Sequence, residues 1–140
     1  MGVYNKEYES LAEAIVTGCD FYSADQKRML HVNRAVWDTG STSTILSSHV
    51  VKQLGLECFR TGGIAGIGGD VETATYLVHV ALPTEDVVTY VEVMEHDFDD
   101  YDAIIGMDII TLGDFIVASS GGKTRFSFQL PSKKKERQRP

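Results

Sequence analysis

The chain has 140 residues, 43% of them hydrophobic, and a formal net charge of −7 at pH 7. That length and apolar fraction suit one compact domain with a real core. The acidic balance argues against a nucleic-acid partner, and no apolar run approaches the roughly 20 residues needed to cross a bilayer. The only two cysteines, Cys19 and Cys58, are too few and too far apart for a disulfide framework or a zinc site by spacing. Two reduced thiols in a soluble, cytoplasmic protein are expected.

In chain order, residues 1–12 read as a polar N-terminal arm ahead of a domain spanning 13–131. Glu13 to Phe21 and Lys27 to Trp37 flank Ser23-Ala24-Asp25-Gln26, a hairpin whose second arm runs into Asp38. Ser47 or Ser48 caps a short helix through Leu54 that Gly55 ends. The run Gly62-Gly63-Ile64-Ala65-Gly66-Ile67-Gly68-Gly69 falls where a hairpin tip belongs. Tyr76 to Leu82 and Val87 to Val93 alternate as strands about the reversal Pro83-Thr84-Glu85-Asp86. Ala103 to Ile105 is a short buried strand, and Gly106 to Leu112 a second helix ended by Gly113. Asp114 to Leu130 forms a last hairpin around Ser119-Ser120-Gly121-Gly122, with Arg125 to Leu130 its second strand. Residues 132–140 are a basic, solvated tail. The result is mainly β, with two short helices.

The most informative segment is Trp37-Asp38-Thr39-Gly40-Ser41-Thr42-Ser43-Thr44-Ile45-Leu46. An apolar strand ends in a short acid, small hydroxyl residues and a glycine, so a carboxylate is presented at a tight turn among hydrogen-bond donors. Three residues of this kind alone equally suit an ordinary strand exit in which Asp38 bonds its own backbone. The glycine run lets backbone bend over and approach a ligand. No Lys-Ser or Lys-Thr pair follows it, so it is not a phosphate cradle.

Taken in this order, the Asp38-Thr39-Gly40 turn, the Ile64-to-Gly69 stretch and Ala103-Ile104-Ile105-Gly106 resemble the retropepsin family of aspartic proteases. The resemblance covers roughly residues 13 to 130 and leans toward the cellular and bacterial retropepsin-like proteins. It implies a mainly β, single-lobe closed barrel of the acid-protease type with one or two short helices, acting as a homodimer. Asp38 would be the catalytic carboxylate, Thr39 would bond across the subunit interface, and Gly40 would leave room for substrate backbone. Ser41 would donate toward the carboxylates, Ala65, Gly66, Ile67 and Gly68 would form the tip of a flap over an extended polypeptide substrate, and Ile104 and Ile105 would wall its side-chain pockets. Viral members carry an acid shortly after the Asp-Thr-Gly and an arginine after the later glycine. Here Thr42 and Ser43, and Met107, stand there instead, so that ionic network is not expected.

Hydrolysis of a peptide bond without a metal or cofactor needs one carboxylate to take a proton from water and a second group to give one to the carbonyl. Two carboxyls about 3 Å apart share one proton and are ready for both roles. The chain holds no second Asp-Thr-Gly or Asp-Ser-Gly, and it is too short for a second lobe. A twofold axis supplies the missing acid from another copy.

A metal site built on His31, His49, His79, His96 and the acids from Glu95 to Asp102 lacks any ligand spacing of known type. A serine hydrolase lacks the Gly-x-Ser-x-Gly turn. A dimer of the same fold that holds a peptide without cutting it, or that only dimerises, stays open from sequence alone.

Overall fold

The computed structural model describes residues 2–66 and 69–131. Two expected hairpins form its frame. β2 (Ile15–Ser23) strictly alternates buried with half-buried residues, and it pairs antiparallel with β3 (Met29–Trp37). β6 (Gly69–Ala81) pairs antiparallel with β7 (Val87–Glu95) across the predicted reversal, where Glu85 takes a left-handed conformation at φ 74. Two short strands, β4 (Ile45–Leu46) and β8 (Ala103–Ile105), bridge these hairpins.

The strands run β2-β3-β8-β4-β7-β6, and β6 returns to β2 through Asp20↔Ala81 to Ser23↔Val78. Six strands therefore close a barrel, which leaves that ring without open edges. β5 (Arg60–Gly66) lies outside the ring and continues the sheet from β6 in a register ending at Gly66↔Gly69.

The helices are as short as expected. α1 (Ser48–Gln53) resolves the choice of cap in favour of Ser47, whose hydroxyl accepts from the Val50 N–H at 3.4 Å. Gly55 ends it at φ 59. α2 (Met107–Ile110) follows Gly106 and buries Ile109 and Ile110.

β1 (Val3–Glu7) was not among the expected strands, because its Val-Tyr-Asn-Lys-Glu sequence has little alternation. It is formed by pairing with β10 (Lys123–Gln129), which also pairs β9 (Asp114–Ser120) in the predicted C-terminal hairpin. Gly121 and Gly122, at φ 62 and 77, supply the two left-handed residues such a tight turn demands. The basic tail, residues 132–140, lies outside the described residues.

An aromatic cluster fastens this small sheet to the barrel. Trp37 packs on Phe128, Phe126 and Phe115 at ring centroid distances of 4.8, 5.2 and 6.1 Å. Its indole N–H is satisfied by Thr17 Oγ1 at 2.9 Å. The end of β3, and whatever follows it, is thus anchored on both sides. Cys19 is buried and Cys58 exposed, both as free thiols. Among the described residues no helix is long and apolar enough to cross a membrane.

Candidate active site

Asp38 stands one residue beyond β3, and the ladder still holds it. β3 and β8 run parallel, with Ala35↔Ala103, Val36↔Ile104 and Trp37↔Ile105. The Asp38 N–H then donates to the Ile105 carbonyl at 2.9 Å. The turn closes on the acid itself: the Ser41 N–H donates to the Asp38 carbonyl at 3.1 Å, and the Gly40 N–H donates to Asp38 Oδ1 at 2.8 Å. A Cβ at Gly40 would stand 3.1 Å from that same oxygen, so glycine keeps the carboxylate uncrowded. Thr39 and Gly40 are exposed, and among the described residues the Thr39 side chain has no hydrogen-bond partner.

The rest of the loop is locked to the turn after β8. The Met107 N–H donates to the Ser41 carbonyl at 2.7 Å. The fully buried Thr44 gives its hydroxyl to Asp108 Oδ1 at 2.8 Å and its N–H to Asp108 Oδ2 at 3.0 Å. The same hydroxyl accepts from the Gly106 N–H at 3.2 Å. Gly106 sits so close that an added Cβ would fall 2.5 Å from the Ser43 carbonyl oxygen and 2.9 Å from that of Ser41. The role of Asp108 in fixing the active loop was not read from sequence. The signal was available in hindsight as an acid two residues past a glycine that follows a buried strand.

Two expectations for individual side chains are corrected. The Ser41 hydroxyl donates to the Ser43 carbonyl at 2.7 Å rather than toward the carboxylate. The tight loop offers that acceptor two residues on, while Asp38 is served by the Gly40 amide. Ile105 does not wall a pocket, because it is fully buried in the core. Alternation along β8 gives the outward position to Ile104, which remains partly exposed.

Register places Ile104 in a row that sequence reasoning missed. It pairs with Val36 on β3 and with Ile45 on β4, and Ile45 pairs with Met94 on β7. All four are partly exposed, and in-register partners share a face. Val36 is two residues before Asp38 and therefore on its face. The carboxylate stands at one end of an aliphatic strip drawn from four strands. Nothing in the separate segments announces that strip, since it exists only through pairing.

Ala65 and Gly66 lie at the end of β5, paired with Asp70 and Gly69. Ile67 and Gly68 lie outside the described residues. The acidic run after β7 includes a structural acid: Asp97 accepts from the Ser48 N–H at 2.9 Å and from its hydroxyl at 2.8 Å. Those donors hold the Asp97 carboxyl below the ordinary range. His31 is paired with Asp20 at 2.5 Å, and His79 bridges the Ala24 carbonyl and the Tyr90 N–H. Among the described residues, no three His, Cys, Asp or Glu side chains converge to hold a metal.

Compared with solved structures, the chain aligns over 90% of its length with 92% of a retropepsin-like aspartic protease from Rickettsia conorii, at a TM-score of 0.56 and 9% identity. This chain has the retropepsin-like fold. The agreement is one of architecture: a six-stranded closed barrel, a single lobe and two short helices. EIAV protease in complex with the inhibitor HBY-793 aligns over 71% of this chain and 88% of its own, with a TM-score of 0.49 and 24% identity. The retroviral protease-like domain of Ddi1 from Leishmania major aligns over 88% and 98%, with a TM-score of 0.49 and 16% identity. No family model and no curated protein sequence matches the chain. Within the retropepsin-like fold, Asp38 occupies the turn between β3 and β4, fixed by the cross-loop bonds of Thr44, Gly106 and Asp108.

Proposed function

We propose that this protein is an aspartic endopeptidase in which two copies each contribute Asp38. The observation that carries the reading is the state of that side chain. Its backbone is held on both sides, and among the described residues its carboxylate accepts a hydrogen bond at Oδ1 only, from the Gly40 N–H. Acids that serve structure alone are more fully engaged, as Asp108 is with both oxygens on Thr44.

Two such carboxylates brought within about 3 Å share a proton, one activating water while the other protonates the substrate carbonyl. The exposed Thr39 hydroxyl is a donor available to the facing loop. The strip of Val36, Ile104, Ile45 and Met94 offers apolar contact to side chains of an extended polypeptide, and the β5/β6 hairpin closes over it as a flap. The chemistry needs neither metal nor cofactor, and the acidic, soluble character of the chain suits a cytoplasmic enzyme without nucleic-acid or membrane partners.

The test is cleavage of an unbiased peptide library by the wild type and by Asp38→Asn. Cleavage that disappears in a folded Asp38→Asn protein supports the assignment. Equal cleavage by both removes Asp38 from the chemistry, whereas cleavage by neither removes the assignment and leaves a peptide-binding or dimerisation module of the same fold.

A further inference from the structure

The aliphatic row beside Asp38 does not stop at β3. Val16 on β2 pairs with Val36 and is likewise half-buried, so the strip extends onto a fifth strand. There the sheet ends. β6 pairs with β2 only from Asp20 to Ser23, and no strand covers the outer edge of Val16 among the described residues. Side chains satisfy that edge instead. The Val16 N–H donates to Tyr8 Oη at 3.2 Å, and the Val16 carbonyl accepts from Lys6 Nζ at 2.8 Å and from the Tyr8 hydroxyl at 3.3 Å.

Lys6 is brought here by β1, where alternation sends it with Tyr4 toward the barrel while Asn5 and Glu7 face solvent. Its ammonium stands 4.9 Å from the centroid of the Tyr8 ring, an attraction that fixes the head of a flexible side chain. The residue is half-buried, and no carboxylate pairs with it among the described residues, although Glu7, Glu9 and Glu13 are near in sequence. An ammonium has three donors, and the Val16 carbonyl takes one. A cation held in place with donors to spare, at the end of an apolar strip, is suited to a carboxylate.

We propose that Lys6 is a specificity-determining residue that binds an acidic side chain of the substrate. Val36 lies two residues, roughly 7 Å, from Asp38, and Val16 is about 4.8 Å away on the next strand. The ammonium beyond it is therefore about 12 Å from the Asp38 carboxylate, a span that an extended chain covers in about three or four residues. The preferred polypeptide has an apolar stretch around the bond that is cut, and Asp or Glu about three or four residues from it. A twofold dimer places one Lys6 on each side, so the preference holds in both directions. The inference rests on the reading of Asp38 and its strip as a substrate site, and it adds the class of sequence which that site selects.

The probe is a randomised dodecapeptide library, digested by the wild type and by Lys6→Met, Lys6→Arg and Lys6→Glu, with the products sequenced by mass spectrometry. The wild type should enrich Asp and Glu over Lys and Arg at the third or fourth position from the cut by about threefold to fivefold, less in high salt. Lys6→Met, which keeps an apolar stem over Tyr8, should lose the enrichment. Lys6→Arg should keep it, and Lys6→Glu should turn it toward basic residues.

Binding by the Asp38→Asn protein separates this inference from the protease reading. The fluorescein-labelled peptide Glu-Gly-Val-Phe-Phe-Val-Gly-Glu should bind about threefold or more tightly than the same peptide with Gln at both ends, and Lys6→Met should abolish the difference. An acidic preference that survives in folded Lys6→Met, or none in the wild-type Lys6 background by either measurement, overturns the inference. Selective binding without any cleavage supports Lys6 and counts against the protease. Cleavage without an acidic preference does the reverse.

Discussion

Thr44 and Asp108 are joined by two hydrogen bonds, from the Thr44 N–H at 3.0 Å and its hydroxyl at 2.8 Å, one to each carboxylate oxygen. Because Thr44 is fully buried on the loop that carries Asp38, this contact sets the loop's position from the helix side. Replacing Asp108 by Ala strands two buried donors, each costing roughly 1–3 kcal/mol. Denaturant unfolding should register that loss, and peptide cleavage should fall further than stability because the loop bearing Asp38 is released. Cleavage at the wild-type rate in Asp108→Ala would show that Asp38 is positioned without the clamp.

Asp38→Asn should leave stability almost unchanged, since the bond from the Gly40 N–H, the one the Asp38 carboxylate accepts among the described residues, can be accepted equally by an amide oxygen. Cleavage should drop roughly 10²- to 10⁴-fold, the range of a lost acid–base group. Mixed with wild type at equal amounts under subunit exchange, the mutant should trap about half of the wild-type chains and halve activity per wild-type chain. Undiminished activity in the exchanging mixture would mean that each chain carries an independent site.

Gly106→Ala puts a methyl into backbone, 2.5 Å from the Ser43 carbonyl oxygen, with no flexible side chain to yield. Overpacking of this kind costs about 1–3 kcal/mol. The midpoint of thermal unfolding should fall accordingly, together with kcat. An unaltered melting curve would contradict the close packing of the two loops.

At the end of β5, Gly66 pairs with Gly69, and Gly66→Val restricts the backbone of the proposed flap. Cleavage should suffer well before thermal stability, because β5 lies outside the closed ring. A fully active Gly66→Val enzyme would show that this hairpin does not cover substrate.

The bonds from Ser48 depress the folded-state pKa of Asp97 below its unfolded value. The stabilisation is therefore complete above the unfolded carboxylate pKa of about 3.9 and is lost as pH falls through the lower folded value. Asp97→Asn should be less stable at pH 6 and should converge on wild type under strong acid. Parallel stability curves across that range would rule out this cap as a source of acid sensitivity.

What the sequence determined by itself was whatever local physics governs. Period-two alternation marked β6, β7 and β10, turn residues marked the reversals, including the one between β2 and β3, and Ser47 or Ser48 with Gly55 marked the ends of α1. The acid at the exit of β3 was legible for the same reason, since a short carboxylate beside Thr39 and Gly40 is a local pattern. Tertiary structure decided everything that depends on pairing between distant segments. β1 has weak strand preference and exists through β10. Ile104 and Ile105 are alike in sequence, and only the orientation of β8 in the barrel sends one outward and buries the other. The Ser41 hydroxyl turned to Ser43, the nearer acceptor once the loop had closed, and Asp108 reached Thr44 because α2 starts beneath the same loop. Such choices arise where a side chain has several partners of equal chemical merit, and the packed fold alone brings one of them within reach.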